Sequence, residues 1–348
     1  MSKYLSGMQQ VFFFLFVNVL LLSVNSAHAS TNKMLFKKSF ADRKDVQAFI
    51  LEMEKKHQFD PQQLKALFKS IASEPKVLKA ISKPYERLPW YRYQNSVVSD
   101  KRIQGGVKFW KENEAALKKA EVQFGVPAEI IVAIIGVESK YGTIKGKFPV
   151  LQTLATLAFD YPRRAKFFRK ELEAFLLLTK EQGFDPLKML GSYAGAMGNP
   201  QFMPSNYRQY ATNLSGQGPS DIINNMNDAI ASVANYFKAH GWKNGESIAH
   251  SAKISGTQHL SLNKKDRKNP KPAISLKNLA KYGVHPAEKI KLPNKEALTA
   301  FITLESANDN EYWLGFNNFY VITRYNPSTH YGMAVFQLSE HIRALHES

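Results

Sequence analysis

The sequence predicts an α+β fold that is predominantly helical, and three observations carry that prediction. Apolar residues recur at helical spacing from about residue 45 to residue 240; the composition then shifts after Trp242 towards Gly, Asn, Lys and Pro with short alternating segments; and a last helical pattern closes the chain. This order suits a helical body with a small β-containing part set before its final segment. At 348 residues and 44% hydrophobic content, the chain is long enough for one large domain or two modest ones, each with its own core.

Taken in order, the first 29 residues hold Lys3, an apolar run over 11–22 and the small-residue pattern Ala27-His28-Ala29, which is the layout of a secretory signal peptide. The run falls short of the ~20 apolar residues of a membrane span. An uncleaved anchor is the alternative. Over 45–54, Val46, Phe49, Ile50 and Met53 recur at helical spacing, and Phe59-Asp60-Pro61 starts another helix with Asp60 as N-cap and Pro61 in the first turn. That helix carries the stripe Leu64, Leu67, Phe68 and Ile71. Residues 84–93, rich in Pro and aromatics, predict an extended connector.

From Gly106 the helical signal strengthens through Val107, Trp110, Ala115 and Leu117 to Phe124-Gly125-Val126-Pro127, a stop followed by a new start. Further helices are expected over 127–141, from about Pro162 to Gly183 on Phe167, Leu172, Phe175, Leu176 and Leu177, and over 226–240 before Gly241-Trp242. Beyond them, Lys264-Lys265-Asp266-Arg267-Lys268 beside Pro270 and Pro272 reads as a solvated loop. Residues 300–305 and 319–324 read as strands, and 334–345 as a helix. No internal repeat is visible.

Lys and Arg outnumber Asp and Glu by 47 to 29, a formal charge of +18 with a pI near 9.7. Such a balance points to nucleic acid, a membrane surface or an acidic polymer, with general solubility as the plain alternative. Export sets nucleic acid aside. The absence of cysteine excludes disulfides, thiolate metal sites and lipid attachment to an N-terminal cysteine. The expected location is therefore the soluble periplasm.

The segment from Glu129 to Glu138 is apolar on every face between its two acids, so it predicts a helix buried on most sides. Glu138 falls one turn after Ile134 and Ile135, with Tyr141-Gly142 ending the helix just beyond. Burial and the negative end of the helix dipole both disfavour its charged form, as a glycosidase acid requires. A Glu simply solvated at a helix end is the competing reading. Most glycosidases use two carboxylates. Here Glu129 is nine residues away, about 13 Å along a helix, and Asp160, Glu171 and Glu173 stand in turn or amphipathic contexts. A single acid suits a mechanism in which the substrate supplies its own nucleophile.

The stretch from Gly191 to Pro204 has three glycines and two prolines in 14 residues and cannot be an ordinary helix throughout. Ser192, Gln201 and Phe202 in it offer hydrogen bonds and an aromatic face to a sugar. A tight interhelical connection explains the same composition.

Several motifs stand in one order: Val137-Glu138-Ser139-Lys140-Tyr141-Gly142, Tyr161-Pro162-Arg163-Arg164, Gly195-Ala196-Met197-Gly198 with Gln201-Phe202-Met203-Pro204, and the run from Ala234 to Trp242. With the late run from Asn318 to Asn326 and His330-Tyr331, they closely resemble the lytic murein transglycosylase B family over roughly residues 36–338. The resemblance implies a lysozyme-like catalytic core with a small inserted β domain. The implied divisions are a signal peptide at 1–29, an N-terminal helical part at 30–92, the core at 93–245, the β-containing domain at 246–318 and a return segment at 319–348.

It also implies cleavage of the MurNAc-GlcNAc β-1,4 bond of peptidoglycan without water, giving 1,6-anhydroMurNAc ends, with Glu138 as acid and then base. Ser192, Gln201 and Asn326 would line the sugar cleft, with Tyr93, Phe202, Tyr236, Tyr325 and Tyr331 as wall or stacking groups and Arg163 and Arg164 on the peptide side. Members of the family can carry an EF-hand-like calcium loop. The matching stretch, Asn213 to Asp228, offers Asn213, Ser215, Gln217 and Asn224 where an EF-hand uses carboxylates and a bidentate Glu, so no metal or other cofactor is expected. The expected partners are peptidoglycan glycan strands and cell-wall synthesis or remodelling proteins, with no nucleic acid, and the expected state is a monomer. A hydrolytic muramidase on the same core, a cell-wall-binding scaffold without turnover and a basic nucleic-acid binder are the competing functions.

Overall fold

The computed structural model describes residues 39–82, 88–216, 218–262, 270–289 and 296–348. The signal-peptide segment 1–29, the basic run 264–268 and residues 84–87 of the expected connector lie outside the described residues.

Helices α1 (Lys44–His57), α2 (Pro61–Lys69) and α3 (Pro75–Ile81) open the described chain. Helix α1 buries Val46, Phe49, Ile50 and Met53, the stripe that its spacing predicts. Asp60 caps α2, its carboxylate accepting from the backbone N–H groups of Gln62 and Gln63. These helices share one apolar cluster with α8 (Val150–Asp160) and α9 (Ala165–Gln182), in which Phe49 meets Phe68 and Phe159 edge to face. Helix α8 is absent from the sequence reading. Its buried residues run almost without a break from Val150 to Ala158, so no polar face interrupts them to mark a period.

The connector expected over 84–93 gives way at its end to helix α4 (Trp90–Val97). Trp90, Tyr93 and Val97 stand at helical spacing and all are buried, and this packing outweighs the local Pro and aromatic composition.

A second cluster gathers α5 (Asp100–Glu112), α6 (Glu114–Phe124), α7 (Ala128–Ser139), α11 (Met226–Ala239) and α14 (Thr329–Glu347). Helix α7 packs against the other four, and its residues from Ile130 to Ile135 have no solvent exposure. Each buried Ile or Val contributes about 1.5–3 kcal/mol, an upper figure given a compact unfolded state. This helix is therefore anchored along its whole length before its last turn.

Apart from the two-residue pair β1 (Phe148–Pro149) and β2 (Leu190–Gly191), the β-containing part is a five-stranded antiparallel sheet of β3 (Ala249–Ile254), β4 (Ile274–Ser275), β5 (Val284–Pro286), β6 (Leu298–Glu305) and β7 (Asn310–Gly315), in the spatial order β4-β6-β7-β3-β5, with the short helix α12 (Leu276–Ala280) after β4. Strand β6 covers the alternating segment at 300–305. The second expected strand, 319–324, is instead the middle of helix α13 (Asn317–Tyr325). Its β-branched residues favour a strand locally, but Asn318, Phe319 and Ile322 share one helix face. Phe319 and Thr323 lie against Gly332 of α14, and Asn318 is tied to the Lys243 and Glu246 carbonyls, contacts that a strand could not make together.

Candidate active site

Glu138 lies on the last turn of α7, half-buried, with Val137 half-buried before it and Ser139 buried after it. The first turn of α14 comes against it. Ser328 caps that helix by accepting from the Tyr331 N–H, which sets the Tyr331 side chain towards α7. The Tyr331 hydroxyl donates to Glu138 Oε1 at 2.6 Å. Burial, and then the nearby Glu138 charge, hold this phenol well above its ordinary pKa, so it stays a donor at any working pH.

Behind Tyr331 runs a chain of aromatic rings. Tyr325 stacks on Tyr331 at 6.5 Å and meets Tyr236 at 4.8 Å, while Phe202 touches Tyr236 and Tyr325 at 5.7 and 5.8 Å. The Tyr325 hydroxyl donates to the Pro200 carbonyl at 2.6 Å and that of Tyr236 to the Arg324 carbonyl at 2.7 Å. Four of the expected wall residues thus join Glu138 to the glycine-rich segment. Their role as stacking surfaces needs correction. Phe202, Tyr236 and Tyr331, with Tyr93 on α4, expose at most 3% of their surface, so their rings pack on protein and present almost no face to a sugar. Only Tyr325 of the five is half-exposed. Tyr93 sits beside the ring of His330, the residue before Tyr331, at 6.0 Å.

The segment around Ser192 is a set of tight turns between α9 and α10 (Pro204–Tyr210), the interhelical connection that its composition allows. Met197 and Phe202 exchange backbone hydrogen bonds at 2.8 and 3.0 Å, closing a loop that needs left-handed backbone at Gly198 (φ 72°) and Gln201 (φ 50°). A side chain at position 198 would meet the Ile222 carbonyl oxygen at 2.7 Å. The half-buried Ser192 accepts at Oγ from the Ala194 and Ala196 N–H groups, so its hydroxyl proton points to another acceptor. Gln201 donates through Nε2 to the Lys145 and Gly198 carbonyls. Asn326 follows Tyr325 at the end of α13, half-buried, its carbonyl accepting from Ser328.

Arg163 and Arg164 stand apart. They are exposed on a short 3-10 turn between α8 and α9, where Arg164 lies over the Phe167 and Phe168 rings at 4.3 and 5.1 Å. Among the described residues no hydrogen bond or ring contact ties either to the Glu138 cluster.

Of the other acids considered as partners for Glu138, three are engaged by protein groups of their own and Glu129 lies at the opposite end of α7. Glu129 begins α7 and lines a cleft of about 740 Å³ with Trp242, Trp313 and Phe336, and burial raises its pKa. Asp160 holds Arg43, Glu173 bonds His57, and buried Glu171 accepts from the Ser205 N–H and hydroxyl.

The calcium loop fails the same scrutiny. Asp221 Oδ1 accepts from the Ile223 and Asn224 N–H groups, Asp228 Oδ2 accepts from the Asp221 N–H, and Asn213 donates to the Gly218 carbonyl. The carboxylates are turned onto their own backbone, and position 224 supplies an amide where a bidentate carboxylate is needed. No group of three metal-ligating side chains occurs among the described residues. These residues do not fit calcium.

Sequence reasoning missed Arg102, Tyr141 and Lys145, which support the site from other elements. Tyr141 stood in a motif already singled out, whereas nothing local marks the other two.

Comparison with known proteins bears on this geometry. Residues 41–340 match the transglycosylase SLT domain model. Over 319 residues the chain is 40% identical to membrane-bound lytic murein transglycosylase B of Escherichia coli (strain K12), covering 89% of this chain and 85% of that protein. Its structure is similar to that of lytic transglycosylase SltB1 from Pseudomonas aeruginosa, with a TM-score of 0.82, 43% identity and coverage of 88% and 99%. It also resembles the E. coli lytic transglycosylase Slt35, solved in complex with calcium, with a TM-score of 0.80, 42% identity and coverage of 89% and 96%.

Proposed function

The chain belongs to the transglycosylase SLT domain family, and on that basis we propose that it is a lytic transglycosylase that cleaves peptidoglycan with Glu138 as its one acid and base. The observation that carries this reading is the pairing of Glu138 with the Tyr331 hydroxyl at the end of a buried helix, while Asp160, Glu171 and Glu173 are engaged elsewhere and Glu129 lies at the far end of α7. A hydrolytic glycosidase places two carboxyl groups across the bond. One group that gives a proton and then takes one favours transfer within the substrate.

In that mechanism the protonated Glu138 donates to the oxygen bridging MurNAc and GlcNAc as the C1–O bond breaks. The N-acetyl carbonyl oxygen of MurNAc bonds to C1 and carries the positive charge. Glu138, now a carboxylate held by Tyr331, removes the proton of the C6 hydroxyl. The C6 oxygen displaces the carbonyl oxygen at C1, closing the 1,6-anhydro ring. Glu138 ends protonated, and no water enters. The hydroxyl proton of Ser192, Oε1 of Gln201 and the Asn326 side chain are assigned to the sugars, and the exposed Arg163 and Arg164 to the peptide carboxylates at a distance from the reacting bond.

The core spans 93–245 and 319–348 in this reading, with 30–92 and 246–318 as its helical and β-containing additions. The enzyme works in the periplasm as a monomer after cleavage of residues 1–29, without calcium, and its charge of +17 once Lys3 is lost from the +18 full chain draws it to the anionic wall. Cell-wall remodelling proteins are its natural partners. Digestion of purified sacculi followed by product mass analysis tests the chemistry. The expected products end in 1,6-anhydroMurNAc, and the Glu138→Gln protein releases none. Reducing MurNAc ends, or near-normal activity of Glu138→Gln, would overturn the assignment.

A further inference from the structure

Helix α7 ends one residue after Glu138, and it ends in an unusual way. Two successive non-glycine residues, Lys140 (φ 49°) and Tyr141 (φ 59°), adopt left-handed backbone, a region in which the Cβ of an L-residue crowds the neighbouring carbonyl. Neither is Gly, Asn or Asp, the residues that enter it most readily. Local sequence does not account for the turn, so tertiary contacts must hold it.

Those contacts centre on the Tyr141 ring. It fills a slot cleared by three glycines on two helices. A Cβ at Gly136 of α7 would sit 2.6 Å from the ring and its hydroxyl, one at Gly105 of α5 would sit 2.9 Å from the ring edge, and one at Gly106 would meet the Ile342 side chain of α14 first and then the hydroxyl, the latter at 2.8 Å. Phe109 closes the slot at 5.5 Å. The Tyr141 hydroxyl donates to the Arg102 carbonyl at 2.6 Å, and the Arg102 guanidinium donates back to the Gly136 carbonyl at 2.7 Å, two residues before Glu138. The backbone N–H of Tyr141 reaches the Ile135 carbonyl at 3.2 Å. Burial keeps the Tyr141 phenol protonated well beyond its ordinary range.

We propose that Tyr141 is a positioning residue for Glu138. With Arg102 it locks the end of α7 against α5, so that the carboxyl is held from behind while Tyr331 holds it in front. The proposal rests on the reading of Glu138 as the acid. A helix end with no such duty would be built more easily with glycine at the left-handed positions. This one places a large ring there and clears three side chains to receive it.

The test compares Tyr141→Phe, which keeps the ring and loses the hydrogen bond, with Tyr141→Ala, which empties the slot. Turnover of soluble glycan-peptide oligomers is measured per folded molecule, well below the melting temperature. Misplacing a catalytic group by an ångström can cost about a hundredfold in rate. The expected kcat losses are about tenfold for Phe and about a hundredfold for Ala, with KM unchanged. Val77→Ala in α3, buried in the other apolar cluster, serves as a destabilised control and keeps wild-type kcat. Wild-type kcat in both Tyr141 variants, or losses no larger than the control's, would overturn the proposal. If Tyr141→Ala does not fold, Tyr141→Phe decides alone. Full activity of Glu138→Gln would overturn the reading beneath it, whatever the Tyr141 variants do.

Discussion

Replacing Tyr331 with phenylalanine removes one oxygen atom at the most informative contact in the molecule. The phenol donates to Glu138 Oε1 at 2.6 Å, and its ring is 98% buried, so the phenylalanine ring would occupy the same space. Hydrogen bonds to charged groups contribute about 1.5–3 kcal/mol. This bond is strongest when Glu138 is a carboxylate, the state that forms as the proton leaves for the glycosidic oxygen. Its loss therefore falls on the transition state, and at 1.36 kcal/mol per decade it predicts a kcat about ten- to a hundredfold lower. KM should hardly move, because the hydroxyl faces Glu138. Stability should change by less than about 1 kcal/mol, since the half-buried carboxyl can take a water in place of the phenol, and a chain of this size would melt within about 4 °C of wild type. Because the phenol stays protonated across the working range, its own titration adds no step to the pH profile of kcat. The assay is release of soluble products from sacculi alongside a thermal melt. An unchanged kcat, or a loss confined to KM, would refute the reasoning.

Activity on intact sacculi should fall several-fold between about 0.05 and 0.5 M salt, as screening weakens the pull of the strongly basic chain on the wall; a rate indifferent to ionic strength would remove charge steering from the account. Burial holds the Glu171 carboxyl above its ordinary pKa of 4.5, only partly offset by the two Ser205 hydrogen bonds and Arg164. An acid harder to ionise folded than unfolded costs stability as pH rises through its folded value, so Glu171→Gln should melt higher than wild type at pH 7 and lose that advantage below about pH 4.5. A lower melting temperature for that variant at pH 7 would show that the charged form is favoured where it sits. Calcium at about 1 mM, or its chelation, should leave the melting temperature unchanged, because Asp221 and Asp228 already serve their own backbone; a rise of several degrees with calcium would disprove that fit.

The legibility of the fold followed how far each segment depends on its neighbours. Helix α7 was visible because a run apolar on all faces has few other uses, and α1 and α2 because their stripes and the Asp60 cap are local. Helix α8 escaped because complete burial erases the polar face that marks a period. Helix α13 read as a strand because Phe319, Val321 and Thr323 alternate, and only contacts with α14 and the 243–246 turn make the helix preferable. The glycine-rich segment was recognisable as irregular, while its hairpin at Met197 and Phe202 was not.

Sequence alone singled out the carboxyl at position 138 and offered no convincing second acid beside it, and it put amides and a serine at 213, 215, 217 and 224, where an EF-hand uses carboxylates. These conclusions rest on residue type and short spacing, which a chain carries before it folds. Tertiary structure decided what surrounds that carboxyl. Tyr331 meets it from 193 residues away, and Tyr141 is held in an avoided conformation by glycines 5 to 36 residues before it. It also decided that four of the five aromatic side chains read as wall or stacking groups have their rings packed on protein. Burial and orientation arise from elements brought together across the fold, and no local pattern encodes which face of a ring will be covered.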